Sequence, residues 1–299
     1  MACLVVGATG FVGGQVARGL RERGTSVRAL VRGGASHPKS GELREAGVDV
    51  VDGDVTRPDS LASACRGIDV VVSTVTSMPA GANDGLRRVD RDGALALIDA
   101  AERAGVQKFV YVSYSGNIDQ PSPLATAKRG CEDRLRASAM QAVILRPSYF
   151  AEVWLGPALG FDVRNGNARI YGSGDTKVSY ISARDVAAFA VAAATREQAG
   201  KTTVLELGGP DALSQREAIA TFEQATGRKF GIESVPIEAL QAQLGAPDPL
   251  QASFAALTYA YAKGDVIHDA RETAARHGIE LRSVARLASE MARGDSLNA

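Results

Sequence analysis

The chain is poor in the residues that build metal centres and disulfide frameworks: three cysteines (Cys3, Cys65, Cys131) and three histidines (His37, His268, His277) in 299 residues. The cysteines are far apart and lack metal-ligand spacing, so neither a disulfide scaffold nor a zinc centre is expected. Cys3 and Cys131 fall at apolar positions of a strand and a helix and read as small buried thiols. No G-x-S-x-G elbow and no H-E-x-x-H occur, which disfavours serine-hydrolase and zinc-hydrolase chemistry. Excess charge is missing too: 34 basic against 34 acidic residues offer no field for nucleic acid or an anionic membrane. The most apolar helical run, Val186 to Thr195, is too short to cross a bilayer. No charged leader precedes the first strand. A soluble cytoplasmic protein without nucleic-acid or membrane partners is the expectation, with its oligomeric state open.

Glycine is not scarce, and its placement organises the chain. The run Cys3-Leu4-Val5-Val6 leads directly into Gly7-Ala8-Thr9-Gly10-Phe11-Val12-Gly13, after which Val12, Val16 and Leu20 repeat at helical spacing up to Gly24. That is a buried strand, a tight turn and an amphipathic helix. Glycines at such a turn let the backbone lie against a pyrophosphate, which free N–H groups and the positive end of the helix stabilise. The strand–turn–helix context is the one that a dinucleotide site requires.

The rest of the first half alternates in the same way. Strands are expected at Thr25 to Val31, Val48 to Val55, Ile68 to Val75, Phe109 to Ser113 and Ala142 to Leu145. Helical patterns lie between them, including Asp90 to Ala104 and Leu124 to Ser138. Regular alternation implies right-handed crossovers and an α/β fold, a doubly wound parallel Rossmann sheet. Its ligand crevice lies at the carboxyl ends of the strands, where Ser73, Thr74, Ser113, Tyr114 and Ser115 fall. An NAD site needs an acid about 20 residues beyond the glycines; Arg28 and Arg32 stand there instead, and a guanidinium suits the 2′-phosphate of NADP. Asp54, at the end of the third strand, can face an adenine or close a turn. Lys128 lies one position off the inward seam Ala127, Cys131, Leu135, where periodicity alone makes it a surface charge.

Beyond Arg146-Pro147 the composition changes. Tyr149, Phe150, Trp154 and Phe161 crowd one stretch of a chain that is 5% aromatic overall. They can fill a joint between lobes or line an apolar pocket. Ala168 to Tyr171 and Lys177 to Ile181 suggest a hairpin-like strand pair. Ser182-x-x-Asp185 and Ser214-x-x-Glu217 read as capping boxes. Pro236 to Pro249 looks loose, and the tail from Gly294 is expected to fray. The expected division is a dinucleotide-binding domain over 1–150, with a returning segment near 175–208, and a smaller, mostly helical substrate domain over 151–299.

Taken together, Gly7-Ala-Thr-Gly10-Phe-Val-Gly13, Leu30-Val31-Arg32, Gly53-Asp54-Val55, Phe109-Val-Tyr-Val-Ser113, Leu145-Arg146-Pro147 and Ile181-x-x-x-Asp185 resemble the NmrA-like, atypical branch of the extended short-chain dehydrogenase/reductases. That branch includes the isoflavone reductases. The resemblance implies that NADP(H) is held by Gly7, Thr9, Gly10, Phe11, Val12, Gly13, Arg32, Asp54, Val55, Thr74, Val75, Ser113, Lys128, Pro147 and Phe150. Typical members carry Tyr-x-x-x-Lys; the matching segment here is Leu124-Ala-Thr-Ala-Lys128, with the lysine kept and the tyrosine replaced. Isoflavone-reductase relatives share that loss. Lys128, Ser115 and Tyr114 are therefore the candidate catalytic groups. The implied activity is NADPH-dependent reduction of a small conjugated, quinone-like or carbonyl compound, apolar or aromatic in character. The alternative is a non-catalytic NADP(H)-sensing regulator or assembly protein.

Overall fold

A computed structural model describes residues 1–78, 85–197 and 200–294; the tail expected to fray lies, from 295 onward, outside them. The chain divides into two compact units. The first comprises Met1–Ser113, Pro123–Leu145 and Val186–Leu205; the second comprises Tyr114–Ser122, Arg146–Asp185 and the chain from Glu206 onward.

The first unit is built on β1 (Ala2–Val6), β2 (Ser26–Val31), β3 (Asp49–Asp52), β4 (Val70–Ser73), β5 (Lys108–Val112) and β6 (Gln141–Pro147). Every register among these six is parallel. β1, β4, β5 and β6 are nearly continuous runs of buried, mostly apolar residues, because a parallel strand covered by helices on both faces has no wet side. The helices are α1 (Phe11–Glu22), α2 (Ser40–Glu45), α3 (Pro58–Cys65), α4 (Ala94–Arg103) and α5 (Pro123–Ala137). α4 is entered through a π-helical segment, Leu86–Gly93. α1 buries Val16, Ala17 and Leu20 and ends before Gly24 at φ +74°.

The second unit opens with α6 (Ala151–Trp154), β7 (Asn167–Tyr171) and β8 (Lys177–Val178). The chain then returns through α7 (Ala183–Thr195) to β9 (Thr202–Leu207), which completes a seven-stranded sheet in the order β3-β2-β1-β4-β5-β6-β9. That is the doubly wound order, with its switch between β1 and β4. The remainder is mostly helical: β10 (Leu213–Ser214), α8 (Gln215–Thr226), β11 (Gly231–Val235), α9 (Ile237–Gln241), α10 (Pro249–Lys263), α11 (Ala270–Arg276) and α12 (Val284–Ala292). The stretch 236–249, expected to be loose, holds the short helix α9.

Two local expectations fail for tertiary reasons. β7 and β8 do not form a hairpin; β7 pairs in parallel with β11, and β8 pairs antiparallel with β10. The end of β7 is closed by a side chain: Gln215 accepts the Tyr171 N–H at 2.9 Å and donates to the Tyr171 carbonyl at 2.8 Å. Nor is Ser182-x-x-Asp185 a capping box. The Ser182 hydroxyl donates to Glu152 at 2.6 Å, and Glu152 also accepts the Ala183 N–H. Asp185 instead accepts the Arg282 N–H at 2.8 Å. By contrast, Ser214 and Glu217 form the reciprocal box at the start of α8. The aromatic residues Tyr149, Trp154 and Phe161 are core of the second unit. Tyr149 and Trp154 meet edge-on with centroids 4.5 Å apart, and Phe161 meets Phe222 at 4.8 Å.

Candidate functional site

In the first unit the glycine turn joins β1 to α1 at the switch point. Gly7 has φ +93°, and a Cβ there would lie 2.6 Å from the Thr74 hydroxyl oxygen, so the loops after β1 and β4 touch. A Cβ on Gly13 would fall 2.2 Å from the Gly7 carbonyl oxygen, which no adjustment of a side chain relieves. Gly10 differs. Its backbone is extended (φ −83°, ψ 171°), it is exposed, and a Cβ would be 3.1 Å from Gly7 O. Gly7 and Gly13 are thus needed by the fold, whereas Gly10 leaves space outside it. No side chain caps α1, so the N–H groups of its first turn, at Phe11 and Val12, are available to an anion. Thr9 is half-buried within the turn.

The ends of β2 and β3 carry the residues expected to face an adenine and its ribose. Arg28 and Arg32, equivalent in the sequence, part here. Arg28 is committed to the Ala64 carbonyl at 2.9 Å, the Arg66 carbonyl at 3.0 Å and the Asp49 carboxylate at 3.4 Å. Arg32 is exposed at the end of β2, with no hydrogen bond from its guanidinium to any described residue. Sequence reasoning missed a second cation of this unit: Lys39, at the N-cap of α2, donates to the Thr9 carbonyl at 2.9 Å. Asp54 closes a turn by accepting the Thr56 N–H at 2.8 Å and hydroxyl at 2.9 Å. Val55 is buried against Gly93, where a Cβ would come within 2.8 Å of it.

The carboxyl ends of β4 and β5 carry the most unusual group. Lys128, on α5, is 6% exposed rather than solvated. Among the described residues its ammonium has two backbone acceptors, the Val112 carbonyl at 3.3 Å and the Val75 carbonyl at 3.5 Å, and it stands 5.2 Å from the Tyr111 ring centroid. Burial lowers its pKa from the usual lysine value; Asp90, Cys131 and Glu132 oppose that by their charge. Thr74 donates to the Val6 carbonyl through both N–H and hydroxyl, at 3.0 and 3.3 Å. The Ser113 hydroxyl donates to Glu132 at 2.6 Å. Glu132 is fully buried and also paired with Arg129 and Arg136. Leu124, where typical members have tyrosine, is buried and offers no proton.

Asp90 is the other residue that sequence reasoning missed. It is 0% exposed, and one carboxylate oxygen accepts both the Ser77 N–H at 2.8 Å and the Ser77 hydroxyl at 2.5 Å. In Arg87-Arg88-Val89-Asp90-Arg91-Asp92 nothing distinguishes it from Asp92, which is exposed. The π-helical register, which only the fold reveals, turns Asp90 inward.

In the second unit, Ser115 is fully buried, donates to Asp265 at 2.9 Å and accepts the Asn117 N–H at 3.2 Å. Its backbone N–H donates to the Pro147 carbonyl at 2.8 Å. Tyr114 is half-buried against the aromatic core. Phe150 forms an isolated bridge with Ile181, and the Tyr149 hydroxyl donates to the Leu257 carbonyl at 3.1 Å. Among the described residues there is no His, Cys, Asp and Glu cluster able to hold a metal ion, and no helix long and apolar enough to cross a membrane.

An NAD(P)H azoreductase of Xenophilus azovorans is 32% identical over 274 residues, covering 90% of this chain and 90% of its own. The photosystem II assembly factor Ycf39 of Trieres chinensis is 32% identical over 239 residues, covering 79% of this chain and 73% of its own. The NADPH-dependent quinone oxidoreductase of Escherichia coli, solved with NADPH, matches with a TM-score of 0.79 at 23% identity over 97% of this chain and 99% of that one. At that identity the likeness speaks for the fold. The sequence profile of the NmrA-like family matches residues 2–286, from the first strand to the last helix. This chain belongs to the NmrA-like family.

Proposed function

We propose that the chain is an NADPH-dependent reductase of a small apolar or aromatic acceptor, quinone-like, conjugated or carbonyl in character. The observation that carries this reading is the buried Lys128, an ammonium held by two backbone carbonyls, one at the end of β5 and one in the loop after β4, in the same unit as the glycine turn. A lysine kept for solubility would be exposed; one kept dry beside open strand ends is suited to acid–base work. The residues present fit a dinucleotide phosphate. The Gly10 backbone leaves a cradle that a side chain would fill, the first turn of α1 is uncapped, and Arg32 and Lys39 supply cations for a 2′-phosphate. When bound, NADPH supplies the hydride. Lys128 then holds a proton, or its positive charge, where an acceptor oxygen turns negative. Leu124 cannot do so, and Ser115 has its hydroxyl proton committed to Asp265.

The runner-up is a nucleotide-sensing assembly or regulatory protein without turnover, favoured by the apolar Leu124 and by the likeness to assembly factors. One experiment separates the two: NADPH oxidation followed at the nicotinamide absorbance band against quinones, azo dyes, enones and ketones. Acceptor-dependent loss supports the reductase. Tight NADPH binding with no loss against any acceptor refutes it and leaves the sensor.

A further inference from the structure

A fully buried carboxylate costs several kcal/mol unless its charge is compensated. Asp90 is compensated only on one side: Oδ2 accepts two bonds from Ser77, while Oδ1 has no hydrogen-bond partner among the described residues. Lys128 is the converse case. Its acceptors are two neutral carbonyls at 3.3 and 3.5 Å, long for an ammonium. The other titratable groups around Lys128 do not supply the missing charge. Glu132 on α5 is matched by Arg129 and Arg136. Tyr111 on β5 and Cys131 on α5 are held neutral by burial, which raises both their pKa values. Asp90 lies against the same face of α5: the Cys131 thiol, one turn from Lys128, donates to the Asp90 backbone carbonyl at 3.6 Å, and both Asp90 and Lys128 are buried. Of the surrounding groups its charge does most to keep Lys128 protonated against burial.

The π-helical segment exists in a form that permits this. It buries Leu86, Asp90 and Gly93. A Cβ on Gly93 would come within 2.8 Å of the Arg88 carbonyl oxygen and of Val55, and a Cβ on Gly85 within 2.9 Å of Ser77. The wide turn therefore packs against both the end of β3 and the loop after β4. Such bulges are frequent at functional sites because they re-aim a side chain that a regular helix would direct elsewhere.

We propose that Asp90 is the positioning residue for Lys128: its carboxylate is the counter-charge of the buried ammonium, and through Ser77 it fixes the loop whose Val75 carbonyl holds the same ammonium. For its effect on turnover the inference rests on the reductase reading; for its effect on Lys128 it does not. The test is a cofactor-free ¹³Cε NMR titration of the lysines, with the Lys128 signal assigned by its loss in Lys128→Arg. Asp90→Asn is isosteric and removes the charge; Ser77→Ala removes the tether and leaves the charge. Asp90→Asn should lower the proton affinity of Lys128 about tenfold or more, as loss of a nearby opposite charge does. Ser77→Ala should leave it within about twofold. The alkaline limb of the reduction rate should move down in pH with the NMR midpoint. A Lys128 midpoint in Asp90→Asn equal to the wild type overturns the proposal. Should Asp90→Asn not fold, the wild-type Asp90 carboxyl carbon must show an inflection at the Lys128 midpoint; silence there overturns it equally. A shifted midpoint without any reduction refutes the reductase reading and keeps this one; an unshifted midpoint with intact reduction does the reverse.

Discussion

The two arginines after the glycine turn allow a sharp test of cofactor choice. Arg32→Ala removes an exposed guanidinium that has no described partner, so its loss should not touch the fold. A charge-assisted contact to a 2′-phosphate contributes about 1.5–3 kcal/mol. Exposure places Arg32 at the lower end, and Lys39, bonded to the Thr9 carbonyl, retains part of the positive field. NADPH affinity should therefore fall about tenfold, with NADH affinity nearly unchanged. Arg28→Ala is the control. Its guanidinium bridges two carbonyls at the C-terminal end of α3 and the Asp49 carboxylate, so its removal should lower the melting temperature and leave the NADPH/NADH ratio alone. Isothermal calorimetry with both nucleotides on the two variants decides. Equal losses for NADPH and NADH in Arg32→Ala, or a changed ratio in Arg28→Ala, would refute the assignment.

Gly10→Val should abolish NADPH binding in a folded protein, since Gly10 is exposed, a Cβ there has Gly7 O at 3.1 Å as its single close neighbour, and the side chain would fill the space left for the phosphates, whereas Gly13→Ala, at 2.2 Å, should destabilise the fold itself; thermal melts and nucleotide titration separate them. Lys128→Met should cut turnover about a hundredfold at saturating NADPH, and a loss confined to KM would show that the lysine only anchors cofactor. Asp185 gives a pH prediction. Burial, its largest influence, raises its pKa from 3.8 to about 7, so the folded state binds a proton that the unfolded state has released. The associated stability is present below about pH 4 and lost as pH rises through about 7. Urea unfolding should show the wild type losing about 2–3 kcal/mol between pH 5 and 8 that Asp185→Asn does not lose; parallel pH profiles would count against it.

Local pattern in the chain determined the Rossmann frame. Buried parallel strands demand unbroken apolar runs, and a dinucleotide turn demands glycine where backbone must approach backbone, so β1, α1 and the strand alternation were legible residue by residue. Likewise Ser214 and Glu217 form the expected cap, because both partners lie within one helical turn. Tertiary structure decided whatever depends on partners far along the chain. It chose β11 and β10 as the mates of β7 and β8, gave the entry of α7 to Glu152, and separated Arg28 from Arg32 by what each can reach. It buried Lys128, which by periodicity belongs at the surface, and turned Asp90 inward while leaving Asp92 in water. Period and propensity report how a residue stands relative to its own element. The charge state and reach of a side chain depend on which other elements close over it, and that is a property of the folded chain alone.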